Sequence, residues 1–328
     1  MTGTSQNRWR RRTAVAASVV LGVLLVGCDN RALPTQPGGS VNGPQGQRST
    51  GPIAFVSDRD GTQRIYLANE DGSAVTPLVA GGQPAWAKDG RRIAFAAGGG
   101  VIHVIGVDGS GDRVIADNGR EPAWSPDGRS LVFVSARGGP GLELVNPDGS
   151  NRRSLYNSDD GLLDPKWSPD GQRVLFTISN GYADWCFGLW TVNADGSGAR
   201  QFAGRAVGRP YGSGNDCFSG VETYFSDASQ PAWSPDGSEI AFRGDPGSDI
   251  EVARADGSGR RLLVAGPAHD PDWTPDGRLI YTKNGNLAGF GPSSRIFISD
   301  RGTERQLILE AIAPARPTYG DWSAVWLR

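Results

Sequence analysis

The chain has 328 residues, of which 38% are hydrophobic, 21% charged and 9% aromatic, values that suit one or two globular domains with a sizeable core. Its 33 Lys and Arg nearly balance 35 Asp and Glu, so no basic excess is present to draw a phosphate backbone, and the composition argues against nucleic acid as a partner. Two histidines and three cysteines exclude chemistry that needs several of either, while 48 glycines and 22 prolines favour short strands and tight turns over helices.

At the N-terminus, Arg8, Arg10, Arg11 and Arg12 precede an apolar run from Ala14 to Gly27, interrupted only by Ser18. A helix of that length spans about 21 Å against a hydrocarbon core of roughly 30 Å, so the run reads as an export signal rather than a permanent span. It ends Leu25-Val26-Gly27-Cys28, which resembles the lipobox of bacterial lipoproteins. That resemblance implies removal of residues 1–27, acylation of Cys28, and a lipid anchor that holds the protein to a membrane on the periplasmic or cell-surface side. The mature chain would carry 29 basic and 35 acidic residues, a net charge of about −6. Residues 28–50 are rich in Pro, Gly, Gln and Ser and nearly devoid of apolar residues, so they read as a flexible tether.

From residue 51 to residue 328 the chain repeats itself. The motif appears as Pro84-Ala85-Trp86-Ala87-Lys88-Asp89-Gly90 and Pro122-Ala123-Trp124-Ser125-Pro126-Asp127-Gly128. It recurs as Pro165-Lys166-Trp167-Ser168-Pro169-Asp170-Gly171, as Pro231-Ala232-Trp233-Ser234-Pro235-Asp236-Gly237, and as Pro271-Asp272-Trp273-Thr274-Pro275-Asp276-Gly277. The tryptophans lie 38, 43, 66 and 40 residues apart. A β-rich apolar run follows each copy, then a second run, a turn of the type Asp108-Gly109-Ser110, and a short closing run.

In Ser-Pro-Asp-Gly, proline presets φ at the first corner, aspartate bonds the backbone and glycine accepts the exit geometry. Four strands and two tight turns at a period near 40 predict an all-β propeller of four-stranded antiparallel blades. The tryptophans are expected to be wedges packed between blades rather than a ligand cage. Residues 52–80 hold three strands without a leading Trp strand, and the segment Tyr319 to Trp326 is a Trp strand with no turn after it. Pairing the two completes a sixth blade and removes both open sheet edges.

The repeats resemble those of TolB-type β-propellers of the bacterial envelope, over nearly the whole mature chain. The resemblance implies a six-bladed fold and says far less about function. In TolB itself an α/β domain precedes the propeller, whereas here a tether and Cys28 precede it, so TolB's place in its own system does not transfer.

Strand direction sorts the loops onto two faces, with the Pro-Asp-Gly and Asp-Gly-Ser turns together on one. The opposite face carries the channel mouth, and the residues just before each Trp-strand proline are expected to ring it: Gln83, Glu121, Asp164, Gln230, and His269 with Asp270. Tyr319 is the expected counterpart in the closing blade. Glu121, Asp164 and Asp270, with His269 beside them, are the candidate ligands for a divalent cation, although no cofactor is required. Blade four carries the only large insertions expected, Asn180 to Phe187 and Gly204 to Ser229. Each holds one cysteine, Cys186 or Cys217, and an exported chain is expected to join the two in a disulfide. Tyr182, Trp185, Phe187, Tyr211, Phe218, Tyr224 and Phe225 concentrate aromatic area there, either as a partner surface or as a small local core.

Catalytic templates are absent. There is no Gly-x-Ser-x-Gly elbow, no His-Glu-x-x-His, and none of the three lysines (Lys88, Lys166, Lys283) follows a glycine. His103 falls within a strand, and Asp58-Arg59-Asp60-Gly61 reads as a hairpin loop. The expectation is a monomeric, membrane-anchored, non-enzymatic propeller that binds an envelope protein or peptide. The alternative is a lyase-like carbohydrate-active enzyme, or a glycan-binding protein, using an acidic mouth.

Overall fold

Each Trp-led repeat forms one four-stranded antiparallel sheet, and six sheets make a six-bladed β-propeller in the computed structural model. The structure describes residues 53–179, 187–202, 228–244, 249–287, 290–300, 303–312 and 325–326. Blade one holds β1 (Ile53–Ser57), β2 (Arg64–Ala68) and β3 (Thr76–Ala80). Blade two holds β4 (Gly82–Trp86), β5 (Arg92–Ala97), β6 (Val101–Gly106) and β7 (Arg113–Ala116). Blade three holds β8 (Gly119–Trp124), β9 (Leu131–Ser135), β10 (Gly141–Val145) and β11 (Arg153–Asn157). Blade four holds β12 (Gly161–Trp167), β13 (Arg173–Ser179), β14 (Phe187–Asn193) and β15 (Arg200–Gln201). Blade five holds β16 (Ser229–Trp233), β17 (Glu239–Gly244), β18 (Asp249–Arg254) and β19 (Arg261–Val264). Blade six holds β20 (Ala268–Trp273), β21 (Leu279–Leu287), β22 (Phe290–Asp300) and β23 (Thr303–Ile312). The last strand, β24 (Val325–Trp326), joins blade one.

Closure is therefore as expected: β24 lies antiparallel to β1, with Trp326 opposite Ile53 and Val325 opposite Ala54. In blade two the same two places are taken by Trp86 opposite Ile93 and Ala85 opposite Ala94. Trp326, not Trp322, thus holds the register position of the repeat tryptophan.

Every tryptophan of the five full motifs is buried, Trp233 to 1% exposure and Trp86, Trp124, Trp167 and Trp273 to 8%. Among the described residues the apolar core divides into six clusters, each spanning two neighbouring blades. Trp124 packs with Ile102 and Val104 of blade two and Phe133 of its own blade, and its indole N–H donates to the Ala85 carbonyl at 3.1 Å. Trp273 repeats the bond to Ala232 at 3.2 Å. Burial of so large a ring stabilises each joint by about 2–3 kcal/mol, which is the wedge role expected of it.

The turns form as their chemistry dictates. Ser125 Oγ donates to Asp127 at 2.6 Å while accepting the Ser130 N–H at 2.9 Å, and Gly128 turns the corner at φ +69°. Ser168, Ser234 and Thr274 play the same part in their blades. In the second turn type, Asp108 accepts both the N–H and the hydroxyl of Ser110, at 2.9 and 2.6 Å.

Antiparallel pairing sends each inner strand from the mouth face to the Pro-Asp-Gly turn face. The second-to-third-strand loops and the links between blades return to the mouth face. The stretch 180–186 joins β13 to β14 within blade four, and 203–227 joins β15 of blade four to β16 of blade five, both departing from the strands on that face. They are not the only large additions, contrary to the sequence expectation. In blade six β21 and β22 stay paired as far as Leu287 opposite Phe290, and β23 runs on beside them, with Ile312 opposite Ser293. No helix among the described residues is long and apolar enough to cross a membrane.

Candidate functional site: the channel mouth

Five residues that precede a Trp-strand proline adopt one backbone conformation. Gln83, Glu121, Asp164, Gln230 and Asp270 all sit at φ between +52° and +54°, the left-handed region that a side chain occupies at a cost of about 1–2 kcal/mol. A following proline biases a residue towards the extended region, so the conformation is held by context. Each lies within a β-bulge where the inner strand shifts register: between Gly82 and Ala85, Arg120 and Ala123, Leu163 and Lys166, Ser229 and Ala232, and His269 and Asp272.

The bulge turns the side chains of Gln83, Glu121, Asp164 and Gln230 towards the next blade, where each accepts that blade's corresponding N–H. Glu121 N–H donates to Gln83 Oε1 at 2.9 Å, and Asp164 N–H donates to Glu121 Oε2 at 2.5 Å. Gln230 N–H donates to the Asp164 carboxylate, and Asp270 N–H donates to Gln230 Oε1 at 3.1 Å. Gln230 Nε2 returns a bond to Asp270 Oδ1 at 2.7 Å. A single hydrogen-bonded chain thus runs around the mouth from blade two to blade six, each link crossing one blade boundary. At about 1 kcal/mol per bond, more where the acceptor is ionised, the links offset the backbone strain that makes them possible.

Electrostatics divides this ring. Glu121 and Asp164 are both raised well above the ordinary carboxylate range, chiefly because burial disfavours the charged form. The Asp164 charge adds to the effect on Glu121, whereas Lys166 and Arg120 oppose it at both sites. Arg120 Nε lies 3.3 Å from Glu121 Oε1, and its Nη2 donates to the Leu162 carbonyl at 2.7 Å. On the far side His269 Nδ1 lies 2.7 Å from Asp270 Oδ2. A carboxyl that holds its proton near neutrality is a proton donor in principle, yet Glu121 already holds a neighbour's N–H on Oε2 and faces Arg120 on Oε1. The mouth is built first as an inter-blade clasp.

The structure thus brings together Gln83, Glu121, Asp164, Gln230, His269 and Asp270. Tyr319 lies outside the described residues, and with Trp326 in the tryptophan register, the position three residues earlier in sequence is Ser323. Cys28, Cys186, Cys217, Tyr182, Trp185, Tyr211, Phe218, Tyr224 and Phe225 also lie outside the described residues, and of Phe187 only the backbone, at the start of β14, is described. Among the described residues no group of three or more His, Cys, Asp or Glu is arranged to hold a metal ion. Glu121 Oε2 accepts the Asp164 N–H, the Asp164 carboxylate accepts the Gln230 N–H, and Asp270 bonds Gln230 Nε2 and lies against His269. His103 sits in β6, bonded to Asp112 at 2.8 Å. Sequence reasoning missed Arg120 and Lys166, whose only signal was their place one residue before and two residues after a ring carboxylate.

No family model matches the chain, and no curated protein matches it in sequence. Solved structures match its fold. TolB from Acinetobacter baumannii superposes with a TM-score of 0.65 at 17% identity, over 84% of this chain and 66% of that one. A nidogen/laminin complex gives 0.60 at 12% identity, covering 84% and 98% of the two chains. An oligogalacturonate lyase in complex with manganese gives 0.53 at 16%, covering 79% and 74%. The chain spans about two thirds of the TolB structure's length, and what it shares with all three is the fold alone: a β-propeller, here of six blades, of the kind TolB carries.

Proposed function

We propose that the protein is an exported, lipid-anchored propeller that binds an envelope protein or peptide across its mouth face. The observation that carries this reading is the inequality of the two faces. On the turn face, short loops satisfy their own polar groups. On the mouth face the stretches 180–186 and 203–227 depart from blade strands, and blade six raises a long hairpin on the same face. Binding residues are disproportionately carried by loops on a rigid scaffold, and the hydrogen-bonded ring stiffens the mouth of this one. The anchor rests on Cys28 and the run before it. The resemblance to a chain of a nidogen/laminin complex supports a protein-binding use of the fold.

Capture of envelope proteins by the full chain, compared with a variant lacking residues 204–226, tests the reading. The deletion stops short of Ala228, which is buried against blade five. Loss of the captured partner is expected; an unchanged set of partners would overturn the assignment of that face.

A second reading, a carbohydrate-active enzyme, draws on the oligogalacturonate lyase resemblance and on His269 beside Asp270. Metal analysis and a polysaccharide turnover screen decide it, and absence of both metal and turnover removes it.

A further inference from the structure

The side of blade six that faces blade five contains buried hydrogen-bond donors with nothing to donate to. Cross-strand register places Tyr281 opposite Phe297, Lys283 opposite Arg295, and Gln306 opposite Phe297 on the next strand. Alternation along each strand therefore puts Tyr281, Lys283, Arg295, Phe297 and Gln306 on one side. Tyr281 is buried against blade five and Phe297 packs beside it, which fixes the side in question. The two rings stack with centroids 6.0 Å apart, and Lys283 Nζ lies 5.6 Å from each centroid.

Charge on this side is unbalanced. Lys283 and Arg295, both cationic, stand directly opposite each other, an arrangement that destabilises a sheet unless compensated. Glu304 compensates only one of them. It accepts Lys283 Nζ at 2.6 and 2.8 Å and the Tyr281 hydroxyl at 2.6 Å, and among the described residues it is not bonded to Arg295. Arg295 Nε and Gln306 Nε2 are each buried without a hydrogen-bond partner among the described residues. A buried donor left in that state costs about 1–3 kcal/mol. Two on one side, one of them part of a guanidinium with no carboxylate partner among the described residues, describe a place that lacks an anionic acceptor.

We propose that this side of blade six binds a carboxylate, received by Arg295 and Gln306 over the Tyr281–Phe297 platform, and that an acidic peptide segment supplies it. A guanidinium fork matches carboxylate geometry. The peptide source is favoured by what lies alongside. β23 has ten residues and, among the described residues, no strand beyond it in its sheet, whereas the outer strands of the other blades have two to five. Its open edge can hydrogen-bond an extended backbone while an acidic side chain reaches the donors. Lys283 pairs with Ala268, two residues before the ring residue Asp270, so the place lies at the level of the mouth face. The inference rests on the protein-binding reading for the source of the carboxylate, and on the geometry of blade six for its location.

The test uses the full chain and a fluorescein-labelled hexaglutamate peptide, with hexaglutamine and trigalacturonate as comparison probes. Binding of hexaglutamate but not hexaglutamine is expected. Arg295→Met and Gln306→Leu should each weaken it about tenfold or more without lowering the melting temperature, because each removes an unsatisfied buried donor. Arg295→Lys, which keeps the charge and loses the fork, should fall between. Wild-type failure to bind hexaglutamate, or undiminished binding by the Met and Leu variants, overturns the proposal. Binding of trigalacturonate in place of hexaglutamate overturns the peptide assignment. Should hexaglutamate fail while the 204–226 deletion still abolishes partner capture, this site is wrong and the protein-binding reading stands.

Discussion

The two faces of this propeller use the same residue type in opposite ways. On the turn face Asp108, Asp127, Asp148, Asp170, Asp195, Asp236 and Asp256 all fall below the ordinary carboxylate range, because a Ser hydroxyl and backbone N–H groups bond to the charged form. At the mouth Asp164 and Glu121 are raised, because burial outweighs the N–H bonds they also accept. Hydrogen bonding favours the anion and desolvation disfavours it. The sign of the shift thus reports which of the two prevails. Turn carboxylates are exposed enough that the bonds decide; ring carboxylates are deep enough that they do not. The turn face is therefore most comfortable when ionised, whereas the mouth stores unfavourable charge.

The largest expected effect comes from a residue beneath both faces. Trp124→Ala removes a buried wedge and its bond to Ala85, and about 3–5 kcal/mol of stability should be lost on thermal unfolding. A much smaller loss would mean that the joints between blades are held by the two faces and not by the core between them. Next comes an ion pair at the closing joint. Arg278 of blade six pairs with Glu70 of blade one, the two side chains 15% and 9% exposed. Arg278→Met leaves Glu70 nearly buried without that partner, and a loss of about 2–3 kcal/mol is expected, the residual exposure keeping it below the cost of breaking a fully buried pair.

The fold was legible because its information is local and repeated: a proline, a tryptophan and an Asp-Gly turn at a period near 40 specify a blade without reference to distant contacts. The ring positions were legible for the same reason, as the residue before each proline. Their role was not. The bond from Glu121 N–H to Gln83 spans 38 residues, and it exists only because the bulge turns Gln83 to φ +54°, a state the following proline argues against. The closing register was obscured by two tryptophans four residues apart, Trp322 and Trp326, of which sequence alone could not choose the one that pairs with Ile53. The long hairpin of blade six was hidden by Asn284-Gly285-Asn286 and Gly291-Pro292, residues that signal turns yet lie within paired strands.

The contrast in charge predicts a stability profile with two limbs. The mouth pair binds protons more tightly folded than unfolded, so its ionisation is resisted by the fold. Stability should fall as pH rises from about 4 towards the folded values, about 6 for Asp164 and about 7 for Glu121, and then level off. The turn aspartates behave in reverse: their stabilisation is present above the ordinary value of 3.8 and is lost as pH falls towards the folded values, about 2 for Asp236. Maximum stability is expected between the two limbs, near pH 4–5. Glu121→Gln keeps an oxygen to accept the Asp164 N–H and removes the charge, so it should flatten the upper limb and raise the melting temperature at pH 7.5. An upper limb unchanged in that variant would mean that the mouth carboxylates do not control it.

The smallest expected effect tests whether the turn face is structural alone. Ser234 Oγ donates to Asp236 at 2.6 Å and accepts the Glu239 N–H at 2.9 Å. Ser234→Ala removes both bonds from one turn, and a cost of about 1 kcal/mol is expected, read as a fall of about 2–4 °C in melting temperature. Ser234→Thr should be nearly neutral, because blade six already uses Thr274 in the same place, bonded to Asp276 at 2.6 Å and accepting the Arg278 N–H at 2.9 Å. Neither change should alter partner capture, since the turn lies on the face opposite the mouth. A Ser234→Ala protein that melted as the wild type does but lost its partner would place recognition on the turn face, and the division of labour between the two faces would then be reversed.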